Sequence, residues 1–205
     1  SYLNLVSTAS RVVPAISESD VCVLVIDANT GIIEHDKHIA SYALEAGKGI
    51  VLVVNKWDTI ENKDQAIKQW KVLLENEFQF MPWVKVVFLS AKTKKRLHTL
   101  MPEVINAYNN NRREVKTSML NNIIVDAVKM HEPPGYKGKK LKIYFSSQTG
   151  VCPPKFTFRC NNKGLVHFSY ERYLENQIRA NFDFTGTPMI LQFKNRGSKD
   201  DTDEE

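Results

Sequence analysis

The sequence predicts an α/β domain built on a parallel sheet, followed by a small α+β domain. Two observations carry the first part. Apolar runs at 21–27, 49–54 and 84–89 read as strands, the first of them continuous as expected of a strand covered on both faces, and helical patterns separate them. A third observation sets the boundary: the alternation stops at the polar stretch Asn109-Asn110-Asn111-Arg112-Arg113. Beyond it the order becomes helix, strand, strand, helix, strand.

The elements follow in order. Leu3, Leu5, Val6, Ala9, Val12, Val13 and Ile16 recur at helical spacing, so residues 2–16 are predicted to lead with a helix. Residues 21–27 form a strand, and 35–46 a helix that Gly47 ends. A strand at 50–54, a helix at 63–78, a strand at 84–89 and a helix at 96–108 complete the first domain, residues 1–111. In the second domain, 112–196, Thr117 or Ser118 caps a helix running to Met130. A basic loop at 133–140 precedes strands at 141–149 and 156–160. Tyr170, Tyr173, Leu174 and Ile178 line one side of a helix at 168–182, and 188–193 closes the unit as a strand. The charged tail 197–205 has too little apolar content to bury and is predicted to be disordered.

Composition narrows the setting. The chain has 205 residues, 42% of them hydrophobic, and no apolar stretch approaches a membrane span. Its start lacks the basic segment and apolar core of a secretory signal, and it lacks an initiator Met, as expected of a fragment. Cys22, Cys152 and Cys160 are odd in number and show no C-x-x-C spacing, which points to a reducing, cytoplasmic setting without disulfides or zinc. Cys22 reads as a small core hydrophobe. The net charge of +5 is uneven. Residues 1–111 are balanced, whereas 112–196 hold 15 Lys/Arg against 6 Asp/Glu, which suggests an anionic partner for the second part. The alternative is a solvated basic face without a function.

The strand at 50–54 opens into Asn55-Lys56-Trp57-Asp58. An Asp carboxylate placed there accepts both N1–H and N2–H of guanine, an edge that adenine does not offer. The wrong base leaves a polar group unpaired, which discriminates strongly. Ser90-Ala91-Lys92 follows the next strand and supplies the second base-facing signature, and both lie just beyond strand C-termini, where ligands bind in such sheets. The competing reading is a turn in which Asp58 merely caps the next helix. No Gly-x-x-x-x-Gly-Lys-[Ser/Thr] phosphate loop occurs, nor any Asp-x-x-Gly after a strand before Asn55. A guanine pocket without phosphate and Mg²⁺ ligands cannot transfer a phosphoryl group. The chain therefore reads as the back half of a GTPase domain.

With these motifs placed, residues 1–196 resemble the Der or EngA family of bacterial tandem GTPases. Three further segments carry the resemblance: Asp27 to Asp36, Thr93 to Pro102, and above all Phe168 to Arg179. The resemblance implies part of a Ras-like P-loop GTPase domain followed by a KH-like domain. It also implies GTP or GDP as ligand, with Mg²⁺ held by residues not in this chain, and a preceding first GTPase domain. The family is expected to associate with the large ribosomal subunit and its RNA, and the basic KH-like domain agrees with that. Unlike other KH-bearing GTPases, the chain has no Gly-x-x-Gly loop between helices; 137–140 is a different loop.

The resemblance assigns roles residue by residue. Asp58 recognises the guanine edge, Asn55 ties the guanine loop to a phosphate loop, and the stem of Lys56 covers one face of the base. Trp57, the variable position, packs rather than binds. The Ala91 N–H donates to guanine O6, Ser90 shapes the turn, and Lys92 shields the other side of the base. Asp27 reads as a turn acid or helix cap, and His35 and His38 as surface residues without a third metal ligand. Arg112, Arg113, Lys137, Lys139 and Lys140 are candidate phosphate contacts. Two classes of function follow: a GTP hydrolase of which this chain alone is inactive, or a non-catalytic RNA- or ribosome-binding module with the GTPase remnant as scaffold.

Overall fold

The computed structural model describes residues 13–136 and 138–197. The predicted leading helix is present over 13–18 (α1), while residues 2–12 and the tail from Ser198 lie outside the described residues. The chain forms two compact units. One runs to Arg112 and takes in Phe184–Pro188; the other comprises Arg113–Asp183 and the chain from Met189.

In the first unit, β1 (Val21–Asp27), β2 (Gly49–Asn55) and β3 (Lys85–Phe88) form a parallel sheet in the order β1-β2-β3. The helices are α2 (Glu34–Glu45), α3 (Lys63–Glu77) and α4 (Leu100–Asn111). The central strand explains the unbroken apolar run. Ile50, Leu52 and Val54 face a core with Ala40, Ala43, Trp57, Trp70, Phe78 and Met81, while Val51 and Val53 pack with Val87, Leu89 and Ala107 on the other face. Alternate side chains thus meet helices on both sides. Strand β1 is less well covered. Leu24 and Ile26 are buried, but Val23 and Val25 are 38% and 55% exposed, and among the described residues no strand pairs with its outer edge.

Phe184–Pro188 completes this unit in a way the sequence pattern does not reveal. Gly186 donates its N–H to the Trp83 carbonyl and accepts from the Ile50 N–H at 2.7 Å. Asn110 donates to the Thr185 carbonyl, and the buried Thr187 hydroxyl donates to Asn111 Oδ1 at 2.6 Å. Asn111 in turn donates to the Gly47 carbonyl, so a buried polar chain ties this segment to the α2–β2 turn.

In the second unit, β6 (Ile143–Gly150), β7 (Lys155–Cys160) and β8 (Ile190–Asn195) form a sheet in the order β6-β7-β8, antiparallel then parallel. Helices α5 (Thr117–Met130) and α6 (Phe168–Asn181) present Leu120, Ile124 and Ala127, and Tyr170, Leu174 and Ile178, at helical spacing. Phe156, Phe158 and Cys160 alternate along β7 and are fully buried. Asn121 of α5 accepts from the Ser146 N–H and donates to the Ser146 carbonyl, which fixes that helix to β6. The basic loop contains a short ribbon, β4 (Gly135–Tyr136) and β5 (Lys139–Lys140). Gly135-Tyr136-Lys137-Gly138 is itself a Gly-x-x-Gly tetrad, but it lies between α5 and β6 rather than between two helices.

The Tyr170 hydroxyl donates to the His131 carbonyl, and burial pushes its phenol up to about 12, with Tyr173 and Glu132 adding to the rise. An unfolded tyrosine releases its proton near 10, before the folded one does. Its contribution to stability is therefore intact below pH 10 and is lost as pH rises through 12. Tyr170→Phe should flatten the alkaline fall of melting temperature; an unchanged fall would assign it to another group.

Candidate functional site

The site grows from two adjacent strand ends. β2 and β3 run parallel, and their exits are locked together: the Leu89 N–H donates to the Val54 carbonyl, and the Trp57 N–H to the Leu89 carbonyl. The chain turns sharply after Asn55 because Lys56 takes a left-handed conformation, φ 62°, before the single helical turn Trp57–Thr59. That turn drives Trp57 into the core, 4% exposed, with its ring centroid 4.5 Å from that of Phe88. Burial of Trp57 anchors the loop and leaves Asp58 half-buried at its surface.

Four of the residues read from sequence come together here. The Ser90 hydroxyl donates to the Asp58 carboxylate and is the chief reason that carboxyl is held below the usual range. The Asp58 backbone N–H and the charges of Lys92 and Lys95 lower it further, against the opposing effect of desolvation. Ser90 is 1% exposed and also accepts from the Thr93 N–H, so its position is fixed on two sides. Asn55 Oδ1 accepts from the Ala91 N–H at 3.0 Å. The donor expected to meet guanine O6 is therefore engaged with Asn55 here. Asp58 takes part in no helix cap: the following helix, α3, is capped by Asn62, whose side chain accepts from the Gln65 N–H.

Sequence reasoning missed the third strand end. Asp27 lies opposite Asn55 in the β1–β2 register, and its Oδ2 ion-pairs with Lys56 Nζ at 2.5 Å. Its Oδ1 accepts from the Asn29 N–H at 2.9 Å, which is the turn role read from sequence. The Lys56 contact, then the Asn29 N–H, hold the Asp27 carboxyl low. The Asn29 side chain exchanges hydrogen bonds with the Thr59 hydroxyl, so the β1–α2 loop grips the 55–59 loop at both ends. The available signal was the parallel pairing itself, which sets the last residues of β1 and β2 side by side.

A cleft of about 900 Å³ lies between that loop and α3, lined by Asn29, Thr30, Gln65, Gln69, Leu73 and Asn76 among others. None of Asn55, Asp58, Ser90 or Ala91 lines it, so it is distinct from the cluster above. His38 sits 3.9 Å from Glu34 on α2, and among the described residues no group of His, Cys, Asp and Glu could hold a metal ion. Nor is any described helix long and apolar enough to cross a membrane. Lys140 pairs with Glu132 at 2.7 Å and Arg112 with Asp20 at 2.7 Å; Lys137 lies outside the described residues.

Comparison with known proteins agrees with both halves. Residues 7–110 match the elongation factor Tu GTP binding domain, and residues 114–194 match the KH-domain-like C-terminal domain of EngA bacterial GTPase enzymes. GTPase Der of Oceanobacillus iheyensis is 47% identical over 186 residues, covering 91% of this chain and 43% of that protein. GTPase Der of Caldicellulosiruptor saccharolyticus is 41% identical over 190 residues, covering 93% of this chain and 43% of that protein. The chain thus spans less than half the length of these relatives. Among solved structures, Aquifex aeolicus Era bound to GDP and aluminium fluoride is 16% identical, with a TM-score of 0.41 over 89% of this chain and 67% of that one. The two family matches and the GTPase Der relatives converge: the chain belongs to the Der (EngA) family of GTPases and corresponds to the C-terminal portion of its members.

Proposed function

We propose that this chain carries the guanine-selecting half of a GTP-binding domain, and that the complete protein is a cytoplasmic GTP hydrolase acting in assembly of the large ribosomal subunit. One observation carries the reading: Asp58, Ser90, Ala91 and Asn55 converge at the ends of two neighbouring parallel strands. Asp58 accepts from guanine N1–H and N2–H, held ready by Ser90. Ala91 exchanges its bond to Asn55 for one to guanine O6, while Lys56 and Lys92 cover the faces of the base and Trp57 anchors the loop from beneath. GTP or GDP phosphates, and the Mg²⁺ that would neutralise them, are assigned to residues outside this sequence, as is a first GTPase domain.

The direct test is competition in the complete polypeptide, where guanine nucleotides should displace a fluorescent GDP and adenine nucleotides should not. Equal displacement by ADP would end the reading. Residues 1–205 alone should turn over no GTP, since phosphoryl transfer depends on groups around the γ-phosphate that they do not supply. Steady turnover by the homogeneous chain would contradict that.

A second reading makes the basic unit the working part, binding RNA or the ribosome with the GTPase portion as scaffold. The charge balance of residues 112–196 supports it. Removing the charges of Lys137, Lys139 and Lys140 should weaken binding to pre-ribosomal RNA and flatten its salt dependence, because a protein that neutralises fewer phosphates releases fewer counterions. Wild-type affinity across a salt series would make these lysines bystanders.

A further inference from the structure

We infer that the helix-free face of the β6-β7-β8 sheet is a binding platform for single-stranded RNA, with Tyr144 and Phe145 as its stacking surfaces. The inference rests on the reading of this unit as RNA-binding and assigns it a place distinct from the basic β4–β5 ribbon.

Helix α5 packs on one sheet face against β6, and α6 packs against α5. Ser146 is bonded to α5, and Phe158 stacks on Phe193 at 4.9 Å within that covered side. By strand alternation the other face carries Phe145, Arg159 and Lys194 in one cross-strand row and Ser147, Thr157 and Gln192 in the next. The pairing between β6 and β7 slips between Ile143 and Phe145. Such a bulge places two residues against one and breaks the alternation. Its effect is that two consecutive aromatic residues, Tyr144 and Phe145, are 49% and 47% exposed. Two large rings left in water side by side mark a surface with a use.

The surroundings say what fits them. The Arg196 guanidinium lies 5.1 Å from the centroid of the Tyr144 ring, and Arg196 continues the alternation from Lys194. The three strands contain no Asp or Glu, so no carboxylate on the sheet opposes an anionic chain. Rings beside Arg and Lys match the chemistry of a nucleic-acid strand with splayed bases: the bases stack on the aromatics while the phosphates meet the cations. Ser147 and Gln192, both partly exposed, offer donors and acceptors to a ribose hydroxyl, which favours RNA over DNA.

The test uses the whole chain and a single-stranded oligouridylate of about 12 nucleotides, a length within the span of small single-strand sites. Phe145→Ala and Tyr144→Ala should each weaken binding by roughly tenfold or more, the loss of one stacked base. Their salt dependence should match wild type, because no phosphate contact is removed. Phe145→Trp should retain affinity, and Lys194→Gln should lower the salt slope by about 0.7. A deoxyuridylate of equal length should bind more weakly. Both aromatics are exposed, and unchanged circular dichroism and melting would show that the variants fold. Wild-type affinity in both alanine variants, with weakening on neutralising Lys139 and Lys140, would overturn this inference while leaving RNA binding intact. Absence of oligonucleotide binding by wild type at low salt would overturn both readings.

Discussion

Asp58→Asn is expected to move the preference of the complete polypeptide from GTP toward xanthosine triphosphate. In the proposed role, Asp58 accepts from two N–H donors of guanine. Xanthine replaces the exocyclic amine with a carbonyl, to which an Asn amide can donate. The loss for GTP should be roughly ten- to hundredfold, the scale of one charge-assisted hydrogen-bonding pair left unmade. The Ser90 hydroxyl holds the Asp58 carboxyl below the ordinary carboxylate range, so the acceptor is present at neutral pH and is lost only as pH falls through that lowered value. Guanine selectivity should therefore persist in mildly acidic buffer. Equilibrium competition between the two nucleotides measures both effects, and an unaltered GTP affinity in Asp58→Asn would reduce Asp58 to a structural role.

Gly186→Ala is expected to destabilise the first unit by roughly 2–5 kcal/mol, from a left-handed backbone and an overpacked contact together. Gly186 has φ +78°, and a Cβ there would stand 2.8 Å from the Ala107 side chain. Its peptide is bonded on both sides, to Trp83 and Ile50, so it cannot simply move away. Gly31, in the same unit, has φ +77° with nothing within 4 Å of the added carbon. Gly31→Ala should therefore show the conformational part alone, about 1–2 kcal/mol. All three tryptophans, Trp57, Trp70 and Trp83, belong to this unit, so their fluorescence during urea denaturation reports it selectively. Equal midpoints for the two variants would remove the Ala107 contact from the account.

What was legible in the sequence tracks what side-chain patterns can encode. Ile50 to Val54 announced a doubly covered strand because residues facing both layers must be apolar, and the structure sorts them onto two cores. The pairing of Asn55–Asp58 with Ser90–Lys92 was legible because strand ends collect ligand-binding groups in parallel sheets, and Asn55, Asp58, Ser90 and Ala91 do meet there. The Phe184–Pro188 segment was illegible because its attachment runs through the Gly186 backbone and through isolated polar side chains, Asn110, Asn111 and Thr187, that pair across long stretches of sequence. The bulge at Tyr144 was hidden because a slip in register leaves no mark on composition. Asp27 was read as a turn acid or helix cap, since its partner Lys56 lies on a neighbouring strand end that local pattern does not reach.

The return of Phe184–Pro188 also bears on the order in which the protein is made. Every other described element of the first unit precedes Arg113 in the chain. The acceptor for the Ile50 amide, at the root of strand β2, lies in the chain beyond the whole of α6. During synthesis that strand emerges and pairs with its neighbours long before its last bond can form. The first unit is thus sealed only after α6 has been made, so its sheet reaches its final state later than the order of its own strands implies.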